Sequence, residues 1–74
     1  MDKKEFWNKL NRKEKEMVEL LYPERDNPSR VIFGFFRKEA FLADMTTEEL
    51  LRESNPGKFV QQKFTNEFIL KEVK

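Results

Sequence analysis

Apolar positions recur along this chain in four amphipathic stretches separated by polar breaks. In the first, from Asp2 to about Tyr22, Phe6, Leu10, Met17 and Leu21 fall at spacings of four, seven and four. That is one stripe of a helical period, and Trp7, Val18 and Leu20 widen it. Six polar residues, Asn11 to Glu16, interrupt the stripe. Asn11 followed by Glu14 has the form of a capping box, in which the Asn oxygen accepts an amide proton and the Glu carboxylate reaches back. Two arrangements satisfy this pattern. One is a short helix over 2–10, a corner at Asn11 and a second helix to 22; the other is one continuous helix with an exposed middle. Pro23 and the run Glu24-Arg25-Asp26-Asn27-Pro28 end the segment as a loop.

The second stretch, 29–43, supports two readings. Asp26 or Asn27 is placed to cap a helix opened by Pro28, since proline suits the first helical position. Ile32, Phe33, Phe36, Ala40 and Ala43 then share one face, with Phe35 and Leu42 on a second. Yet Val31-Ile32-Phe33-Gly34-Phe35-Phe36 is also an unbroken run rich in strand formers, with a helix-weakening glycine inside it. It could pair with Ala40-Phe41-Leu42 through Arg37-Lys38-Glu39 as a hairpin over 31–42. A lone two-stranded hairpin is marginal without flanking helices as a lid, so the helix is preferred.

Asp44-Met45-Thr46-Thr47-Glu48-Glu49 is a helix start: a Thr cap with acidic residues in the first turn, where the helix dipole favours them. This third helix carries Leu50 and Leu51 and stops near Asn55-Pro56-Gly57. In the last stretch, Lys58 to Lys74, Val60, Phe64 and Phe68 fall at four-residue spacing, repeated beside them by Ile69 and Val73. Phe64 occupies the central row of this last helix. The pattern predicts an all-α fold, a single helical domain over 1–74 built as a small bundle of three to five short helices around a Phe-rich core. The fallback is α+β, with the hairpin at 31–42.

Composition narrows the function. Seventy-four residues at 9.0 kDa suffice for one small domain. The chain has no cysteine and no histidine. Disulfide staples, thiolate-bound metal, the usual general base and the usual pH switch are therefore unavailable. Apolar residues make up 38% and charged residues 39%, but net charge is only +1 and eight phenylalanines are present, which is not the pattern of a disordered chain. Two glycines and three prolines rule out a Gly-rich phosphate cradle and a Pro-rich linker. No segment approaches the roughly 20 apolar residues of a membrane-spanning helix. Met1-Asp2-Lys3-Lys4-Glu5 opens on charge rather than an apolar signal core, so the expected location is the cytoplasm, with no membrane partner. Abundant Lys, Glu, Asn and Phe with little Ala and Gly suits an AT-rich genome, bacterial or viral.

Candidate chemistry is sparse. A nucleophile needs an adjacent base, and the two serines, Ser29 and Ser54, sit in no nucleophile elbow. Glu48 and Glu49 are adjacent on a helix and point about 100° apart, so they do not converge as an acid–base pair. Asp44, Glu48 and Glu49 supply oxygens, but a calcium loop with its central glycine is absent. No catalytic, cofactor or metal residues are assigned, and the chain is read as non-enzymatic.

Nucleic acid is a more substantial alternative. Lys3, Lys4, Lys9, Arg12, Lys13 and Lys15 outnumber Asp2, Glu5 and Glu14 near the N-terminus, with Lys3, Lys4, Lys9, Arg12 and Lys13 as candidate phosphate contacts. Lys58, Lys63, Lys71 and Lys74 exceed Glu67 and Glu72 at the other end, and the two ends could form one patch if they met. Leu10 to Leu21 resembles the opening helix of helix-turn-helix regulators. Ala40, Asp44-Met45-Thr46 and Leu50 resemble that motif's small residue, turn, hydroxyl cap and packing residue. The resemblance covers about half the chain and implies a tri-helical scaffold for a small nucleic-acid-binding regulator. It departs at Asp44, where glycine is usual, and at Thr47 to Glu53, whose three glutamates against one arginine would repel phosphate.

The aromatic content points elsewhere. Phe33, Phe35, Phe36 and Phe41 crowd into nine residues, and neither a helix nor a strand can turn all four toward one small core. Either a ring edge or two is left exposed on a Phe-rich core, or the surplus meets a partner or a second copy of the chain. The expected function is a small protein-interaction module, an adaptor, regulator or inhibitor of a larger protein. Phe33, Phe35, Phe36 and Phe41 are the candidate partner-binding anchors, with Arg37 and Lys38 as a charged rim. Phe35 is the expected exposed anchor, because Phe36 shares the row of Ile32 and Ala40.

Overall fold

The computed structural model describes residues 1–24 and 27–69. Five α-helices follow one another in chain order: α1 (Lys3–Asn8), α2 (Arg12–Leu21), α3 (Pro28–Leu42), α4 (Thr47–Glu53) and α5 (Pro56–Phe64). A π-helical turn, Thr65–Ile69, extends α5. Helix accounts for 77% of the described residues and none is in a strand, so this is a small all-α domain.

Each helix begins where a short polar side chain captures a free backbone N–H. The Asp2 carboxylate accepts from the Glu5 amide at 2.9 Å, and Asn27 accepts from Arg30 at 3.3 Å. Asn11 and Glu14 form the expected box in both directions, at 2.8 and 2.9 Å. Thr46 and Glu49 form a second box, at 3.1 and 3.2 Å. Such caps contribute about 1 kcal/mol each. The box at Asn11 decides between the two N-terminal arrangements: the chain turns there, and α1 and α2 are separate helices. At the last helix the structure departs from expectation. Asn55 accepts from Lys58 at 2.7 Å and Pro56 takes the first helical position. The Asn-Pro-Gly sequence therefore opens α5 two residues before the expected start at Lys58, because proline lacks the N–H that a first-turn residue would leave unpaired.

Helix α3 ends on a Schellman turn. The Met45 N–H donates to the Ala40 carbonyl at 2.9 Å and the Asp44 N–H to the Phe41 carbonyl at 3.1 Å. Asp44 adopts the left-handed conformation this requires, with φ 58°.

The core is aromatic at its centre. Phe6 of α1, Ile32 and Phe36 of α3, Val18 of α2 and Val60 of α5 are fully excluded from solvent. The Phe36 ring lies 4.9 Å from Phe6 and 5.3 Å, edge-on, from Phe59, while Phe33 approaches Phe6 at 5.6 Å. Three helices far apart in sequence thus meet on one ring, an arrangement that adds about 1 kcal/mol per pair to the burial itself. Helix α1 packs on α3, α2 on both α3 and α5, and α4 on α3.

Phe64, expected on the buried row of the last helix, is only half-buried and stacks on Phe68 at 5.0 Å. Val60, from the same expected row, is fully buried, and its core neighbour is Phe59, one position before it, rather than Phe64. The part of the predicted last helix beyond residue 69 lies outside the described residues.

Candidate interaction surface

Helix α3 distributes its phenylalanines around its circumference. Phe36 follows the Ile32–Ala40 row into the core, and Phe33 lies beside it, 9% exposed. Both were expected as partner anchors; both rings are spent on the core, because that row faces α1 and α5. Phe35, the expected exposed anchor, is half-buried: Tyr22, the residue capping α2, stacks on its ring at 5.8 Å and the Lys63 ammonium lies 4.8 Å from its centroid. The correction is physical, since the flank of α3 that carries Phe35 abuts the end of α2. Phe41 is the ring left outside, 81% exposed, with Leu42 beside it at 68%. Leu42 was missed as a surface residue because its spacing assigns it to a second apolar face.

The outward face of α3 is basic as well as apolar. Successive helical residues rotate by about 100°, which puts Arg30, Gly34, Arg37 and Phe41 on one stripe with Lys38 and Leu42 alongside. All six are exposed. Arg37 lies 6.0 Å from the Phe33 centroid. Glu39, the carboxylate of this segment, points elsewhere, 3.9 Å from the Lys63 ammonium. At the end of the face Phe41 lines a shallow depression with Asp44, Met45, Thr46 and Glu49.

Lys63 holds the opposite flank. Its ammonium sits 3.3 Å from Glu67 and 4.8 and 5.9 Å from the Phe35 and Phe59 rings. It is thus committed to joining α3 with α5 rather than offered to phosphate. The same side chain, with Glu39, Leu50, Ser54, Phe59, Gln62 and Asn66, lines a cleft of about 200 Å³.

The candidate phosphate contacts divide. Lys4, Lys9, Arg12 and Lys13 are exposed, Lys3 is half-buried, and Arg12 lies 3.6 Å from Glu16. Lys58 is exposed on α5, whereas Lys71 and Lys74 lie outside the described residues. The start of α2 and the start of α5 do meet. The buried Glu14 accepts from the Gln61 side-chain amide at 2.9 Å, and its carboxylate occupies the space over Gly57. The junction of α2 and α5 therefore encloses a buried carboxylate rather than a cation. The outward side of α4 carries exposed Glu48, Glu49 and Glu53 against Arg52, an unfavourable surface for phosphate. Glu48 also accepts from the Met1 ammonium at 2.5 Å, which raises the ammonium pKa and depresses that of the carboxyl.

Among the described residues no helix is long and apolar enough to cross a membrane, and no three acidic side chains cluster as metal ligands. Comparison with protein families, with curated proteins and with solved structures returns no match, so the functional reading rests on this surface alone.

Proposed function

We propose that this chain is a small, non-enzymatic protein-interaction module of the cytoplasm, an adaptor, regulator or inhibitor that docks on a larger protein through the outward face of α3. One observation carries the reading: Phe41 and Leu42, adjacent and 81% and 68% exposed, close a helix face whose other members are Arg30, Arg37 and Lys38. Large apolar side chains cost free energy in water, and aromatic and Arg residues are the types that dominate binding energy at protein interfaces. Phe41→Ser is expected to leave the thermal midpoint nearly unchanged, since the ring has little packing to lose. The same change should weaken capture of the partner in an affinity pull-down by about tenfold or more, roughly the hot-spot threshold. Unchanged capture by Phe41→Ser would place the contact elsewhere.

A second reading is favoured by the packing of α2 on α5, since α2 carries exposed Arg12 and Lys13 and α5 carries exposed Lys58, Gln61 and Gln62. Under that reading the chain binds nucleic acid. Nuclease treatment of the pull-down separates the two, as does salt: phosphate-driven binding falls steeply as salt rises, an apolar interface much less.

A further inference from the structure

We infer that the outward face of α3 receives the outward face of α2 from a second copy of this chain, forming a reversible, salt-sensitive dimer. The inference rests on the reading of α3 as the docking face and names its occupant. It starts from Gly34. This glycine lies inside a 15-residue helix, has no positive φ, and a Cβ built on it meets nothing within 4 Å. Neither the backbone nor the packing of the isolated chain calls for glycine there, although glycine is the least favourable interior helix residue after proline. What it supplies is bare backbone at the middle of an exposed stripe, a notch that admits a side chain from another helix.

The walls of the notch state the chemistry of what enters. Arg30, Arg37, Lys38 and Phe41 surround it, and among the described residues none of the three cations pairs with a carboxylate. The complementary surface is on α2. Leu20 is 55% exposed and stands with Glu16 and Glu19 on the outward side of that helix, with exposed Glu24 just beyond. The large exposed apolar side chains of the described residues are thus Leu20 beside Glu16 and Glu19, and Phe41 and Leu42, which follow Arg37 and Lys38 along α3 while Phe41 meets Asp44 and Glu49 at its far end. Helices α2 and α3 are consecutive and pack together, so a two-fold arrangement lets each copy donate Leu20 and receive one. Burying about 600 Å² per copy, the low end for a specific contact, would take about a ninth of the 5536 Å² surface.

Sedimentation velocity of the full chain from about 10 μM to 1 mM tests this, since weak dimers populate in that range. A dimer is expected that weakens several-fold on going from about 50 to 500 mM salt. The base-reversed variant Arg37→Glu/Lys38→Glu and the acid-reversed variant Glu16→Lys/Glu19→Lys should each be monomeric, and mixing them should restore association. Gly34→Ala should raise the thermal midpoint at dilutions where the chain is monomeric yet weaken the dimer, a combination no folding defect produces. A wild-type chain that stays monomeric throughout, or reversals that leave association intact, or a mixture that fails to associate, overturns the inference. Loss of a larger partner by Phe41→Ser in a monomeric wild type would retain the α3 docking face and remove only the second copy as its occupant.

Discussion

Asp44 shows most plainly how a single residue can work against its place in the fold. It holds φ 58° at the end of α3, a conformation that is strained for a side chain bearing a Cβ. Its carboxylate also sits at a helix C-terminus, where the dipole favours cations. Asp44→Gly is expected to stabilise the chain by about 0.5–1 kcal/mol, read as a higher urea midpoint at an unchanged slope. That residue was visible in the sequence as the non-glycine in a turn. Its αL geometry was not, because Asp also serves as an N-cap and stands here two residues before the true cap, Thr46. Gly34 illustrates the converse: as a sequence letter it suggested a strand run or a weak helix, and only its open surroundings show that the fold makes no use of it.

At the scale of elements, capping chemistry made the helix starts legible. Asn11–Glu14, Asn27–Arg30 and Thr46–Glu49 each act locally, through hydrogen bonds no more than three residues long, and such signals survive without knowledge of tertiary structure. The last helix was legible from its periodicity, but its start fell at Pro56 rather than Lys58, because Asn-Pro-Gly serves equally as the end of one helix and as a cap followed by a first turn. Its inward face centres on Val60, as the periodicity predicts, but takes Phe59 rather than Phe64 as the second core residue, because Phe59 is the ring that meets Phe36. Phe36→Ala should accordingly cost about 3–5 kcal/mol, the range for removing a fully buried ring, and Phe64→Ala distinctly less. Comparable losses for both, measured by denaturant unfolding, would mean that the end of α5 is docked more deeply than the structure indicates. The candidate site divided along the same line. Helical periodicity separated Phe36 from Phe35 correctly, but which flank of α3 the end of α2 would cover could not be read from α3 itself.

The whole molecule depends on a contact that periodicity cannot predict. Glu14 and Gln61 are joined across 47 positions, and the same carboxylate lies where a Cβ at residue 57 would fall. Gly57→Ala is therefore expected to destabilise by about 1–3 kcal/mol, because the displaced carboxylate loses buried hydrogen bonds. In a Glu14→Ala background the same change should cost much less, a coupling that a double-mutant cycle measures. Equal penalties in both backgrounds would assign the effect to the backbone alone. The Glu14–Gly57 contact also bears on how the chain reaches its fold. Helix α2 can nucleate on its own capping box within microseconds, since that box is local. The core ring Phe36, by contrast, is covered on one side by Phe59, which arrives only when α5 seats against Glu14. A nascent chain halted after α4 would thus lack Phe59 over the Phe36 ring and leave the aromatic core open, and closure of α2 on α5 is the contact that completes the domain.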